Sequence, residues 1–216
     1  MDANLAPRDG DLIRRLAGAV SLRSRRRRFD LFMELMQPTE ETSVVDVGAA
    51  DSPYGEGEGQ AQSHNFFEAM YPWPERITAV GVYEFQHFPT AFPQIRTVQA
   101  DGRDLPFADA EFDVGFSNAV VEHLPDRASQ ETFVRELCRV SERVFVATPN
   151  RWFPIDPHTL LPFVHWLPRR ERVLAALARE KTGDLRPLGP RELRSLFPYP
   201  VRIVNTGANL VAVGPT

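Results

Sequence analysis

The sequence is short of several things at once. It has a single cysteine, Cys138, so no disulfide can close within the chain; that residue lies in an amphipathic run, TFVRELCRV, and is read as a small packed hydrophobe. It has no uninterrupted apolar stretch near the ~18 residues that a membrane-crossing helix requires. The most apolar early segment, LIRRLAGAVSL, is broken by Arg14 and Arg15, runs into further arginines, and does not have the form of a targeting segment. It has no large excess of one charge: a formal net charge of -4 over 216 residues gives no overall field to gather nucleic acid. It also lacks G-x-G-x-x-G, G-x-S-x-G, a phosphate-binding G-x-x-x-x-G-K-[ST] and paired cysteines. These absences argue against a dinucleotide dehydrogenase, an α/β-hydrolase, a nucleotide triphosphatase and a zinc site. His123, His158 and His165 are scattered without metal-ligand spacing, so no metal is expected. The expectation is a cytoplasmic protein without a nucleic-acid partner.

What is present is a 43% hydrophobic chain, enough for one packed core, with an alternation of short apolar runs and helical segments. Residues 9–36 repeat apolar positions three to four apart (Leu12, Ile13, Leu16, then Phe29, Phe32, Met33, Met36) up to Pro38, which predicts one or two helices. Strand-type runs follow at 44–47, 77–82, 96–100, 112–116 and 143–147. Helices are expected at 61–71, 85–92 and 129–141, the last with Phe133, Val134, Leu137 and Val140 on one face. This alternation is the pattern of a parallel sheet with crossover helices. Beyond Pro149, prolines at 154, 157, 162 and 168 forbid a regular element, and a lid or insert is expected over 149–198, with helices at 169–180 and 190–196. Two last runs, 201–204 and 209–213 around Gly207, predict an antiparallel hairpin. A single domain over 1–216 is expected, with residues 1–40 as its N-terminal helices.

Three strand ends carry the candidate chemistry. The first, VVDVGAAD, leads through Asp46 to Gly48, where a glycine lets backbone approach a ligand in the crevice beyond the carboxyl ends of the strands. The second leads to Glu84, a carboxylate placed to accept two hydrogen bonds from a ribose diol. The third leads to Asp101, which can accept from an adenine amino group while the amides of Gly102 and Arg103 meet the ring edge. Each alone has an ordinary structural explanation, since strands end in tight turns and Asp-Gly makes them. Their order along one sheet is what points to a nucleoside.

These residues, with the segment LPFADAEFDVGFSNAVVEHL, resemble the class I S-adenosylmethionine (SAM)-dependent methyltransferases, in particular their bacterial type 11 branch, over roughly residues 25–150. The resemblance implies a Rossmann-like seven-stranded, mainly parallel sheet with a C-terminal antiparallel hairpin and flanking helices. It implies SAM as cofactor and S-adenosylhomocysteine (SAH) as product. Gly48 and Ala49 would lie against the methionine end of SAM, with Asp46 in the same strand. Glu84 would hold the ribose hydroxyls, Asp101 the adenine amino group beside Gly102 and Arg103, and Asn118 the region facing the sulfonium. The family's Gly-X-Gly-X-Gly is here Gly48-Ala49-Ala50-Asp51-Ser52-Pro53, and 36 residues separate Gly48 from Glu84, so the loop after the first strand is extended.

On the acceptor side, His123 is the candidate base if the methylated group is a hydroxyl, and Glu122-His123 as a brace for the following loop is the alternative. Asn150, Arg151, Asp156 and His158 are candidate substrate contacts in the lid. The four arginines Arg25, Arg26, Arg27 and Arg28 spread around a helix as a solvated surface; alternatively they meet an anionic acceptor or a membrane surface. The expected activity is transfer of a methyl group to a hydroxyl or amine of a small metabolite, saccharide or lipid-linked (glycolipid) acceptor. An inactive binding or scaffold protein of the same fold, or an RNA methyltransferase, stay open as alternatives.

Overall fold

The computed structural model describes residues 9–51, 65–155, 163, 166 and 186–215, with side chains from residue 23 onward. Helix α1 (Asp9–Met36) is one continuous helix. It ends where Gln37 turns to φ +46° and its amide caps the Met33 carbonyl at 3.1 Å. Ser24, Arg28, Phe32 and Met36 follow one another at intervals of four, so they form a single ridge, and Phe32 and Met36 on it are buried.

Strand β1 (Val44–Val47) follows, then α2 (Phe66–Met70), β2 (Ile77–Gly81), α3 (Phe88–Ala91) and β3 (Arg96–Gln99). Next come β4 (Phe112–Asn118), α4 (Arg127–Val140), β5 (Ser141–Pro149), α5 (Pro190–Arg194), β6 (Arg202–Asn205) and β7 (Asn209–Gly214). All seven expected strands are present. β5 is longer than its apolar run because it is paired on both sides, with β4 from Ser141 and with β7 as far as Pro149. α4 starts earlier than expected because Asp126 caps it, accepting the Ser129 amide at 2.7 Å. The helix expected over 169–180 lies outside the described residues.

The sheet order is β3-β2-β1-β4-β5-β7-β6, parallel except for the antiparallel β7 and its partners. Two cores flank it. On one face Phe133, Val134, Leu137 and Val140 of α4 cover Val45, Val47, Val144 and Val146. On the other, Phe29 and Phe32 of α1 and Phe66 and Phe67 of α2 cover Val44, Phe116 and Phe145. The alternation of side chains along β1 therefore turns Asp46 toward the α1–α2 face. Among the described residues, no helix is long and apolar enough to cross a membrane.

Candidate functional site at the switch between the first and fourth strands

Strand order runs outward from β1 in both directions, so β1 and β4 form the point at which the topology switches, and the crevice beyond their carboxyl ends is where open α/β sheets bind ligands. Gly48 leaves β1 with φ +117°, and a Cβ built there would lie 2.1 Å from Cγ2 of Val120, in the loop after β4. Both the Gly48 and Ala49 amides donate to the Val80 carbonyl, at 2.9 and 3.1 Å, which folds the loop back over β2. Neither position nor conformation accepts a side chain. Gly48→Ala is expected to lose about 1–3 kcal/mol from the backbone conformation alone, with the overlap on Val120 adding to it, as read by urea unfolding; an unchanged midpoint would contradict this assignment.

The loop is held by side chains in place of further glycines. Asn65 brackets Ala50, donating to its carbonyl at 2.9 Å and accepting its amide at 3.3 Å. Asp51 accepts the amides of His87 and Phe88, both at 2.8 Å, and also contacts the His87 ring. Desolvation opposes its ionisation, but these amides and the imidazole outweigh it and hold the carboxyl well below the usual range. Asp51 thus ties the exit of β1 to the segment after β2. Asp46 is buried on the α1–α2 face beside buried Glu68 of α2. Burial raises both carboxyls, and the neighbouring Glu68 raises Asp46 further.

At the end of β4, Ser117 donates to the Val47 carbonyl at 2.9 Å and locks β4 to β1. Asn118 follows, with its Oδ1 buried and without a hydrogen-bond partner. Ala119 then adopts φ +58°, a left-handed conformation that a non-glycine residue seldom takes and that is concentrated at functional sites. A 3-10 turn, Val121–His123, comes next. It turns Glu122 inward and leaves His123 exposed, so the base expected at His123 is not the member of the pair that faces the interior. Glu122 accepts the Thr148 hydroxyl at 2.9 Å; burial pushes its carboxyl up to about 7, against the opposing pull of its own amide, of Thr148 and of Arg28.

The ends of β2 and β3 are open. Val82, Tyr83 and Glu84 are exposed beyond Gly81, with Tyr83 at 79%. Asp101 begins a turn in which its Oδ1 accepts the Arg103 amide at 2.9 Å and its Oδ2 the Arg103 guanidinium at 2.6 Å. The Arg103 amide, expected at an adenine edge, is therefore already committed to Asp101. Gly102 is required by packing, because a Cβ there would lie 2.5 Å from the Phe133 ring.

Residues 72–143 match the model of a family described as a methyltransferase domain, of type 11. A probable SAM-dependent methyltransferase of Mycobacterium tuberculosis is 41% identical over 68 residues, and the same match is found in two strains. Over this central third, the chain is similar to type 11 methyltransferases. The matched stretch spans about a quarter of those relatives, 24% of their length and 30% of this chain.

Solved structures agree on the fold. A protein of Pyrococcus horikoshii OT3 superposes with TM-score 0.57 at 14% identity, over 90% of this chain and 91% of that one. The 1,6-didemethyltoxoflavin-N1-methyltransferase of Burkholderia thailandensis, solved with 1,6-didemethyltoxoflavin and SAH, gives 0.51 at 16% identity over 99% and 92%. A [4+2]-cyclase, SpnF, also gives 0.51, so the fold on its own decides no chemistry.

Two expected acceptor contacts are otherwise engaged. Asn150 is buried, donates to the Gly207 carbonyl at 2.9 Å and accepts the Trp152 amide at 3.0 Å, so it braces the hairpin. Arg151 donates to the Pro187 carbonyl at 2.9 Å and to Glu192 at 2.7 Å, tying the segment after β5 to α5. Asp156 and His158 lie outside the described residues. The four arginines do not act as one surface: Arg26 and Arg27 are exposed and Arg25 half-buried, while Arg28 points inward and donates to Asn209 at 2.7 Å. The sequence reading grouped Arg28 with its three neighbours, although its place on the ridge of Phe32 and Met36 was a usable signal. It missed Asn65 and Asp51, for which no local signal exists.

Proposed function

We propose that this chain is an enzyme that binds SAM at the β1–β4 crevice and transfers its methyl group to a hydroxyl or amine of a small metabolite, saccharide or lipid-linked acceptor. The observation that carries the reading is the coincidence at the switch point of a glycine turn closed to any side chain and a buried, unpartnered Asn118 Oδ1. A buried acceptor without a donor is costly unless a ligand supplies one, and the methionine moiety of SAM carries an ammonium. The residues present therefore fit the cofactor.

SAM, when bound, supplies an electrophilic methyl group on a sulfonium. The chain's own residues hold and screen it. The Gly48–Ala49 turn lets backbone approach the methionine half, exposed Glu84 accepts from the ribose hydroxyls, and Asp101 meets the adenine amino group with the acceptor capacity left beside Arg103. Positioning and exclusion of water supply much of the rate in such an in-line displacement. Residues 149–198 form the acceptor side, over a single domain of 1–216, and the lone Cys138 suits a reducing, cytoplasmic setting.

Calorimetry with SAM and SAH tests this. Both are expected to bind, with Glu84→Ala and Asp101→Ala each weakening SAH severalfold or more. A folded protein that gives no heat with either ligand would sink the reading.

A further inference from the structure

Three buried polar atoms without hydrogen-bond partners stand at the carboxyl edge of the sheet: Asn118 Oδ1, Glu122 Oε1 and Arg28 Nε. Buried polar atoms in folded proteins are nearly always paired, so each needs an explanation. The scaffold around them is well determined. Glu122 is fixed by Thr148 at the end of β5, and Arg28 by Asn209 at the start of β7, which in turn donates to Ser24 at 3.2 Å. Thr148 pairs with Leu210 and Pro149 with Asn209, while Asn118 pairs with Ala147 on the other side of β5. Arg28 and Glu122 therefore lie over neighbouring strand ends, beside the strand that carries Asn118. They influence each other electrostatically, yet form no ion pair.

We propose that Arg28 and Glu122 are the acceptor-recognition pair of this enzyme, and that the group they recognise is an uncharged hydroxyl of the kind a saccharide or other polyol presents. The inference rests on the methyltransferase reading and narrows its acceptor. A carboxylate or phosphate seated here would meet Glu122, and an ammonium would meet Arg28; each charged group suits one partner and repels the other. A hydroxyl is donor and acceptor at once, so it takes a hydrogen bond from Arg28 Nε and gives one to Glu122 Oε1. On transfer the acceptor oxygen gains the methyl carbon as the S–CH3 bond breaks, SAH departs, and the hydroxyl proton passes to Glu122 Oε1. The buried Glu122 carboxyl, pushed up to about 7, is matched to accept a proton near neutral pH.

The test uses the whole chain with methyl-labelled SAM and a small-molecule extract of the source cells. The label is expected in a base-stable methyl ether; an N-methyl product or a base-labile methyl ester overturns the proposal, and this readout needs no variant. Glu122→Gln is then expected to lower kcat/KM for the recovered acceptor by about 100-fold or more, leaving SAH affinity by calorimetry within about twofold. Arg28→Lys, which keeps the charge and removes the Nε donor, is expected to raise the acceptor KM about tenfold with kcat little changed. Wild-type values of kcat and KM in both variants overturn the proposal. If the wild-type chain binds no SAH, it is the methyltransferase reading that fails.

Discussion

Phe32→Ala is expected to cost about 3–5 kcal/mol of folding stability, the usual loss for truncating a fully buried phenylalanine. The ring is 0% exposed and sits at the centre of an aromatic cluster that joins α1, α2 and the sheet. Its centroid lies 4.9 Å from Phe67 of α2, 5.6 Å from Phe116 of β4 and 5.4 Å from Phe145 of β5, each in edge-on geometry. Such contacts add to the area buried, and no single neighbour can move to fill the space without leaving the others. The site feels the same change, since Arg28 precedes Phe32 by one turn on the same ridge of α1. Urea unfolding measures the effect. A loss under about 1 kcal/mol would show that α1 is not docked through this ring.

Stability is expected to fall as pH rises from about 4.5 to about 7, and Glu122→Gln is expected to remove much of that fall. In the unfolded chain Glu122 titrates near the ordinary glutamate value of 4.5, whereas burial holds it at about 7 in the fold. Below 4.5 the group is protonated in both states and costs nothing. Between the two values the unfolded state ionises first and is favoured; above about 7 both are ionised and the full cost persists. A shift of this size corresponds to about 3 kcal/mol. Glutamine resembles the protonated form and its amide oxygen can still accept from Thr148, so the variant is expected to gain up to about 3 kcal/mol over wild type at pH 8. At pH 4 the two should coincide. The buried Asp46–Glu68 pair, raised by burial in the same direction, leaves a residual slope in the variant. Unfolding midpoints measured across this range decide the matter, and a gap that is the same at every pH would falsify the assignment.

What the sequence by itself determined is what short-range pattern encodes. Apolar runs of four to six residues became the seven strands, the i, i+1, i+4, i+7 spacing of Phe133, Val134, Leu137 and Val140 marked the α4 face, and the break at Gly207 marked the hairpin. Gly48 was legible because a glycine at the end of a buried strand has few other uses. Which polar side chains face the interior was decided only by the tertiary structure. Four adjacent arginines are identical as sequence, and only the docking of α1 through Phe32 turns Arg28 toward Asn209, 181 residues away. Glu122 and His123 are neighbours, and the 3-10 turn after Ala119 sends the carboxylate inward to Thr148, 26 residues on, and leaves His123 exposed. Asn150 and Arg151 have the composition of ligand contacts, yet their donors are spent on the Gly207 and Pro187 carbonyls. Periodicity fixes a residue's face within its own element. The partner it meets there depends on how distant elements pack, and no local pattern carries that information.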